Sequence, residues 1–246
     1  RDRGQAVSTY NHIAPSIDAI IGGERQNRPE IKMAGRTQDD DRIAQVKTEI
    51  YKYIASSTNS DDEIDKQVLD VMVTGRGWLN IYPNIINGKF DNIEHTYIDF
   101  RDMFLDPLSK KDDLTDARFL HQAIYTDSDI IEAQFSEYTG ESEDTNVFAF
   151  EGSSEDEMWF EHKNRKRPRL ISTWFSDENG EIHNVIWTKS QVLHFEKSPY
   201  SFKTYPFSMI TYKRSLNNDP YGFVKSMVSP QDEVNKRHSK ALHYLN

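Results

Sequence analysis

Apolar and polar residues alternate in the first half of the chain in a way that predicts mixed helices and strands. Helical spacing of apolar residues recurs in three segments, residues 8–21, 39–54 and 60–72. Gly22 and Gly23 are expected to end the first helix. Ser60 is expected to cap the third helix, with Glu63 as its capping-box partner, and Gly75 to end it.

Strand-like runs lie between these helices. Residues 28–35 predict a strand, and Pro29 places that strand at the edge of a sheet. Residues 77–82 predict a second strand, and Asn87-Gly88 between apolar stretches is typical of a hairpin turn. The region up to about Leu120 is therefore predicted to form one α+β domain.

The middle of the chain changes character twice. Residues 125–138 predict a helix capped by Thr126 or Asp127, and an acidic, Gly/Ser-rich segment at 140–157 predicts an exposed loop or linker. Residues 169–188 then predict a hairpin that turns at "DENG", and 205–215 predict a third strand of the same small β module.

The last segment predicts two consecutive helices. Asp219-Pro220 is expected to open a short helix, and Ser229-Pro230 a second one, because a proline in the first helical turn loses no hydrogen bond. The second helix carries two pairs of opposite charge four residues apart, Asp232 with Lys236 and Glu233 with Arg237. Its apolar face is predicted to consist of Val234, His238, Ala241, Leu242 and Leu245.

Composition limits the possible partners and compartments. The 246 residues carry 40 acidic against 30 basic side chains, a net charge of −10, which argues against tight binding of nucleic acid. The absence of cysteine excludes disulfides and thiolate metal sites and fits a reducing cytoplasm. No apolar run approaches the length of a membrane span. Because Arg1 is not an initiator methionine, we expect the sequence to be a fragment.

No sequence motif for catalysis is present, and two residue groups leave alternatives open. The clusters at 39–41 and 61–63 could bind Mg²⁺ in a nuclease, but carboxylates at helix starts are also favoured by the helix dipole. A basic run could contact phosphates or form a solvated loop; its members are Lys163, Arg165, Lys166, Arg167 and Arg169.

The closing segment, "YGFVKSMVSPQDEVNKRHSKALHYLN", resembles the stem-helix segment of portal proteins from tailed double-stranded DNA bacteriophages, of the short-tailed type. The matching residues are Tyr221, Gly222, Pro230, Gln231, Asn235, Lys236, Arg237, Ser239, Lys240, Ala241 and Leu242. "RPEIKM" at 28–33 and the Asp-Pro and Asp-Ala-Arg-Phe signatures within 100–127 are similar to the same family.

The resemblance implies a portal-like α+β fold with a mixed α/β wing, long stem helices and a small β clip module. By this analogy, residues 1–124 form part of the wing, 125–140 a stem helix, 141–218 the linker and clip, and 219–246 a second stem helix. The family forms dodecameric rings at one capsid vertex of the virion, which implies assembly in the host cytoplasm.

The resemblance also implies a function without catalysis. The ring would conduct DNA during packaging and ejection and bind the terminase, the capsid protein and tail or adaptor proteins, with no cofactor, metal or membrane. Candidate stem-helix residues for the DNA channel or the subunit interface are Asn235, Lys236, Arg237, Ser239 and Lys240, and the basic run is the candidate in the clip. The alternatives are a metal-dependent nuclease or other phosphoester hydrolase, and a monomeric DNA-binding or scaffold module.

Overall fold

Helices and antiparallel sheets alternate along the chain, so the predicted α+β fold class is confirmed. The computed structural model describes residues 9–86, 89–138, 168–200 and 203–245. The chain divides into a first unit, Arg1–Phe100 with Pro206–Asn246, and a second unit, Arg101–Tyr205.

The elements, in chain order, are α1 (Ile13–Gln26), α2 (Asp41–Ser57), α3 (Ser60–Val73), β1 (Arg76–Ile86), β2 (Lys89–Ile98), β3 (Met103–Leu105), β4 (Phe119–Tyr125), α4 (Ser128–Gln134), β5 (Arg169–Ser176), β6 (Ile182–Trp187), β7 (Val192–Lys197), β8 (Phe207–Thr211), β9 (Lys213–Arg214), β10 (Pro220–Tyr221) and α5 (Val224–Leu245).

The first unit packs its helices around an antiparallel sheet with strand order β2-β1-β8. Helix α3 lies against β1, where Gln67 is almost fully buried and donates from Nε2 to the Gly77 carbonyl oxygen at 3.2 Å. This hydrogen bond satisfies a buried amide and fixes the helix on the sheet. Val71 is buried at the same contact, and Trp78, the next residue of β1, is buried as well. The predicted hairpin after Gly77 is present as the β1–β2 pair, and its turn, Asn87-Gly88, lies outside the described residues.

The second unit is a five-stranded antiparallel sheet with order β3-β4-β5-β6-β7. The predicted hairpin at "DENG" is confirmed: β5 pairs with β6, and Gly180 adopts φ +74° in the turn. Ile131 of α4 forms a buried cluster with Tyr138 and Leu193. The sheet therefore joins strands on both sides of the predicted boundary between residues 1–124 and 141–218.

The predicted edge strand at 28–35 is wrong, because side chains rather than a neighbouring strand hold this segment. The Arg28 guanidinium bonds to both carboxylate oxygens of Glu24 and also to Asp61 and Asp65, which raises the pKa of Arg28 above its usual value. Farther along, the Met33 backbone N–H donates to a threonine hydroxyl of α2. These contacts satisfy the segment without a sheet.

The predicted end of the first helix and the predicted capping box of the third are also wrong. Helix α1 continues through Gly22 and Gly23, and Asn27 caps its end with backbone and side-chain donors to the Gly23 carbonyl oxygen. At the start of α3 no capping box forms, because Ser60 bonds to His95 and Glu63 accepts from a backbone N–H of β2. The predicted stop at Gly75 is confirmed by its φ of +96°.

Three predictions for the later part of the chain need correction. The predicted strand 205–215 does not join the β module; β8 pairs with β1, which buries Phe207 and Met209 in the first unit. The predicted helix 125–138 is only α4, because Phe135 leaves helical geometry and packs with Tyr138 against the second unit's sheet.

The third correction concerns α5, which is one helix rather than two. Asp219-Pro220 does not start a helix, because the Asp219 carbonyl oxygen and backbone N–H both bond to Ser215 in a turn between β9 and β10. Pro230 lies inside α5. Because proline has no backbone N–H, the Ser226 carbonyl oxygen lacks its usual helical donor four residues later. The helix nevertheless continues on both sides of Pro230.

We predict that Gly222→Ala lowers the free energy of unfolding by about 1–3 kcal/mol, because overpacking forces backbone to move. An added Cβ would lie 2.3 Å from the Met72 carbonyl oxygen and 2.6 Å from that of Val73. Gly23→Ala is the matched control: its Cβ would meet nothing within 4 Å, and we expect a gain of about 0.5–1 kcal/mol. Urea denaturation measures both, and equal stability of Gly222→Ala and the wild type would contradict the close approach.

We also predict that the first unit loses stability as the pH falls below about 6.5. Desolvation by burial lowers the pKa of His95 below its ordinary value of 6.5, so the unfolded chain binds a proton that the folded chain does not. The contribution of neutral His95 to the free energy of unfolding is complete above pH 6.5. It is lost as the pH falls toward the pKa that His95 has in the folded state.

Backbone amide exchange of β2 across pH 7.5 to 5.5 tests this. His95→Gln keeps an acceptor for Ser60 but does not titrate, so its exchange protection should depend less on pH. His243→Gln, on the exposed side of α5, should behave as the wild type. An unchanged pH dependence in His95→Gln would exclude His95 as the source.

Candidate functional site: helix α5 and its anchors

Helix α5 begins where two glycines let the backbone approach the end of α3. Gly222 lies against the last carbonyl groups of α3, and a Cβ on Gly75 would lie within 2.2–2.5 Å of the Tyr221 backbone. Side chains at these two positions would collide with main-chain atoms, which cannot swing away. The Tyr-Gly of the closing motif therefore fixes the start of α5.

One face of α5 then holds the segment that precedes α1. Gln231 accepts from the His12 backbone N–H at 2.9 Å through Oε1, and its Nε2 donates to the Tyr10 carbonyl oxygen. Asn235 accepts from the Tyr10 backbone N–H at 3.0 Å, and the ring of His238 meets the Tyr10 ring edge-on, with centroids 4.5 Å apart. We call Gln231, Asn235 and His238 the clasp. It satisfies main-chain groups of Tyr10 and His12 much as a neighbouring strand would.

The opposite side of α5 carries its charges. The two predicted pairs are present: Lys236 Nζ lies 3.6 Å from Asp232 Oδ2, and Arg237 bonds to Glu233. All four side chains are exposed, so each of these pairs four residues apart contributes about 0.3–0.5 kcal/mol. Lys240 is exposed and has no ion-pair partner among the described residues. It is the cation of this helix most available to a partner.

The structure separates the predicted stem-helix residues into two groups. Asn235 is committed to the clasp, and the charged residues Lys236, Arg237 and Lys240 lie on the exposed side. Ser239 is half-buried. The sequence identifies Gln231 as a motif residue and predicts His238 on an apolar face, but the role of both in the clasp was missed, although residues at positions i, i+4 and i+7 of one helix share a face.

Only one residue of the predicted clip segment can be placed. Lys163, Arg165, Lys166 and Arg167 lie outside the described residues. Arg169 begins β5, where its guanidinium lies 5.1 Å from the ring centre of Phe104 and 5.7 Å from that of Tyr125. These cation–π contacts occupy a group that was a candidate for phosphate binding.

Carboxylates of the acidic clusters form hydrogen bonds and ion pairs with nearby side chains. Asp40 accepts from the Thr37 hydroxyl, Asp61 pairs with Arg28, and Glu63 pairs with Lys66 at 2.6 Å. Within the described ranges, no group of three or more His, Asp or Glu side chains is arranged to hold a metal ion. None of the helices in those ranges is long and apolar enough to cross a membrane.

The Asp-Pro and Asp-Ala-Arg-Phe signatures organise the loop between β3 and β4. Asp106 accepts from the backbone N–H groups of Leu108 and Arg118, at 2.9 and 3.1 Å. Asp116 accepts from the Lys110 backbone N–H at 2.7 Å and from the Ser109 hydroxyl, and these donors hold the pKa of Asp116 below its usual range. Both aspartates have structural roles in this loop.

In the described residues, the chemically suggestive side chains hold turns and helix ends, and the long charged helix α5 is anchored at its start and along one face. Comparison with protein families identifies the class as a viral structural protein, the bacteriophage portal. The family model described as "Phage P22-like portal protein" matches residues 1–246, and the chain belongs to this family. No curated protein matches the chain.

We predict that Gln231→Ala releases the segment before α1. The variant loses two hydrogen bonds to backbone groups, which should lower the free energy of unfolding by about 1–2 kcal/mol. The exchange rates of the backbone amide hydrogens of Tyr10 and His12 should rise. Asp232→Ala, the adjacent exposed position, is the control and should change stability by no more than about 0.5 kcal/mol. Unchanged exchange at both amides would show that the clasp does not hold the segment.

Proposed function

We propose that this chain is a subunit of a portal ring through which double-stranded DNA is packaged and later ejected. The observation that carries the proposal is the family match over residues 1–246. Portal proteins are structural components of the capsid vertex, and the family implies a ring of subunits with capsid, terminase and tail partners. For this chain we propose a dodecamer, assembled in the host cytoplasm, that acts without catalysis.

The charge of the chain supports a conduit. Each fixed contact between a cation and a phosphate adds affinity for DNA, and a channel must let DNA slide. A net charge of −10 keeps that affinity low. On α5, Lys236 and Arg237 are already paired with carboxylates of the same helix. Few unpaired cations of α5 therefore remain to contact DNA phosphates, which would keep binding weak and still allow some guidance of the DNA.

Helix length favours α5 over α4 as the stem helix. At about 1.5 Å per residue, the 22 residues of α5 span about 33 Å, whereas α4 has seven residues. We therefore propose α5 as a stem helix and do not assign that role to α4. The wing at 1–124 and the clip at 141–218, with docking of terminase and tail proteins through the clip, stay predictions.

We predict that the full-length protein forms rings in electron micrographs. Lys236→Ala combined with Lys240→Ala tests what the exposed cations do. If they guide DNA, rings should persist while packaging slows; if they bridge subunits, the fraction of protein in rings should fall. Lys203→Ala, an exposed lysine of the second unit, is the control. A full-length protein that stays monomeric and binds linear DNA in a salt-sensitive way would contradict the proposal.

The enzyme alternative has its own test. Incubation with plasmid and Mg²⁺ should leave the DNA intact. Cleavage that disappears in the Asp61→Ala, Asp62→Ala double variant would favour a nuclease instead.

A further inference from the structure

Helix α2 exposes a continuous apolar stripe. Large side chains at positions 43, 46, 50 and 53 lie on its outer side with exposed fractions of 50–72%: Ile43, Val46, Ile50 and Tyr53. We call these four residues the α2 stripe. Single exposed apolar residues are common on proteins, but a contiguous row marks an interaction surface.

The α2 stripe cannot be buried by rotation of the helix. The inner side of α2 is already in use, because Ala44 is buried and the Thr48 hydroxyl accepts from the Met33 backbone N–H and donates to the Ala44 carbonyl oxygen. Lys52 is bonded to Glu30. These contacts hold the stripe outward, and none of the described residues covers it.

The spacing identifies the covering element as a helix. Steps of three, four and three residues place apolar side chains along the seam of two helices that pack lengthwise. A nucleic acid would need cations along the same row, and the row itself has none.

Helix α5 carries a second exposed row with the same spacing, at Val234, Arg237, Ala241 and Tyr244. We call these residues the α5 stripe. It lies on the side of α5 that the clasp leaves free. A ring built from head-to-tail contacts needs two different, complementary patches on each subunit, and these two rows are such a pair.

Charges at the border of each stripe favour this pairing. Glu49 lies along one edge of the α2 stripe, and Lys240 along the matching edge of the α5 stripe. In an antiparallel pairing these edges lie side by side. The register that sets Tyr53 opposite Val234 brings Glu49 to Lys240. Two α2 helices paired in the same way would set Glu49 against its own copy, a repulsive contact.

We propose that the α2 stripe of one subunit packs antiparallel against the α5 stripe of the next copy in the ring. This inference rests on the proposed ring and adds its contact surface. It assigns Arg237 and Lys240 to the bridge between subunits rather than to DNA.

Cross-linking tests the pairing directly, because these 246 residues contribute no cysteine of their own. Val46→Cys and Ala241→Cys, which the register sets opposite each other, are introduced together in the full-length protein, which is then treated with a short bismaleimide. A ladder of covalent oligomers on a denaturing gel is expected, and each single variant should stay monomeric. A dimer from Val46→Cys alone would overturn the proposal in favour of α2 against α2.

A charge exchange tests the register. Glu49→Lys should lower the fraction of protein in rings about tenfold through like-charge repulsion, and adding Lys240→Glu should restore it. Ile50→Asp should also disrupt rings, whereas Leu216→Asp, at a fully exposed apolar residue in a turn, should not. Circular dichroism confirms that each variant is folded.

The outcomes separate this inference from the proposed function. Rings in micrographs without a ladder, or with full assembly of Glu49→Lys and Ile50→Asp, would overturn the pairing and leave the portal ring intact. If the full-length wild type forms no rings and the double cysteine variant gives no ladder, both the pairing and the proposed ring are overturned.

Discussion

The seating of α5 on α3 is the constraint on which the rest of the first unit depends. Gly222 touches main-chain carbonyls of α3, and α3 is itself fixed to β1 through Gln67 and Gly77. The direction of α5 relative to the sheet is thus fixed by backbone contacts, and main-chain atoms can move less than side chains can. The clasp at Gln231 and Asn235 adds a second fixed point about two turns farther along. Two fixed points define the axis of a helix, and a helix that lines or borders a ring must have a defined axis.

The sequence patterns correctly predicted those elements that are determined by residues close to one another in the chain. Helix α3 and its end at Gly75, the hairpin of β5 and β6, and both ion pairs on α5 follow from residues within a few positions of one another. The errors arise where a residue far away in the sequence determines the local structure. Strand β8 has the composition of any strand, and its pairing with β1 spans more than a hundred residues. Pro230 signals a helix start, yet the helix that begins at Val224 passes through it.

The candidate site shows the same limit. The sequence identified the closing motif, but not that its polar residues divide between an inner clasp and an outer charged side. Asn235 was grouped with Lys236 because they are adjacent, although adjacent helical residues point about 100° apart. The apolar row of α2 was equally visible in the sequence. Periodicity shows that a helix has an apolar side; it does not show whether that side meets its own chain or another one.

Weak ion pairs suit the contact that we propose between α5 and a neighbouring subunit. Lys236 and Arg237 are paired within α5, where exposure to water makes each pair worth little. In the proposed contact, such pairs can be exchanged for contacts with a neighbour at small cost. A buried pair would resist the exchange, since breaking it leaves an uncompensated charge. The firm attachment of α5 through uncharged groups at Gly222 and the clasp leaves its charged side available, so anchoring and assembly do not compete for the same residues.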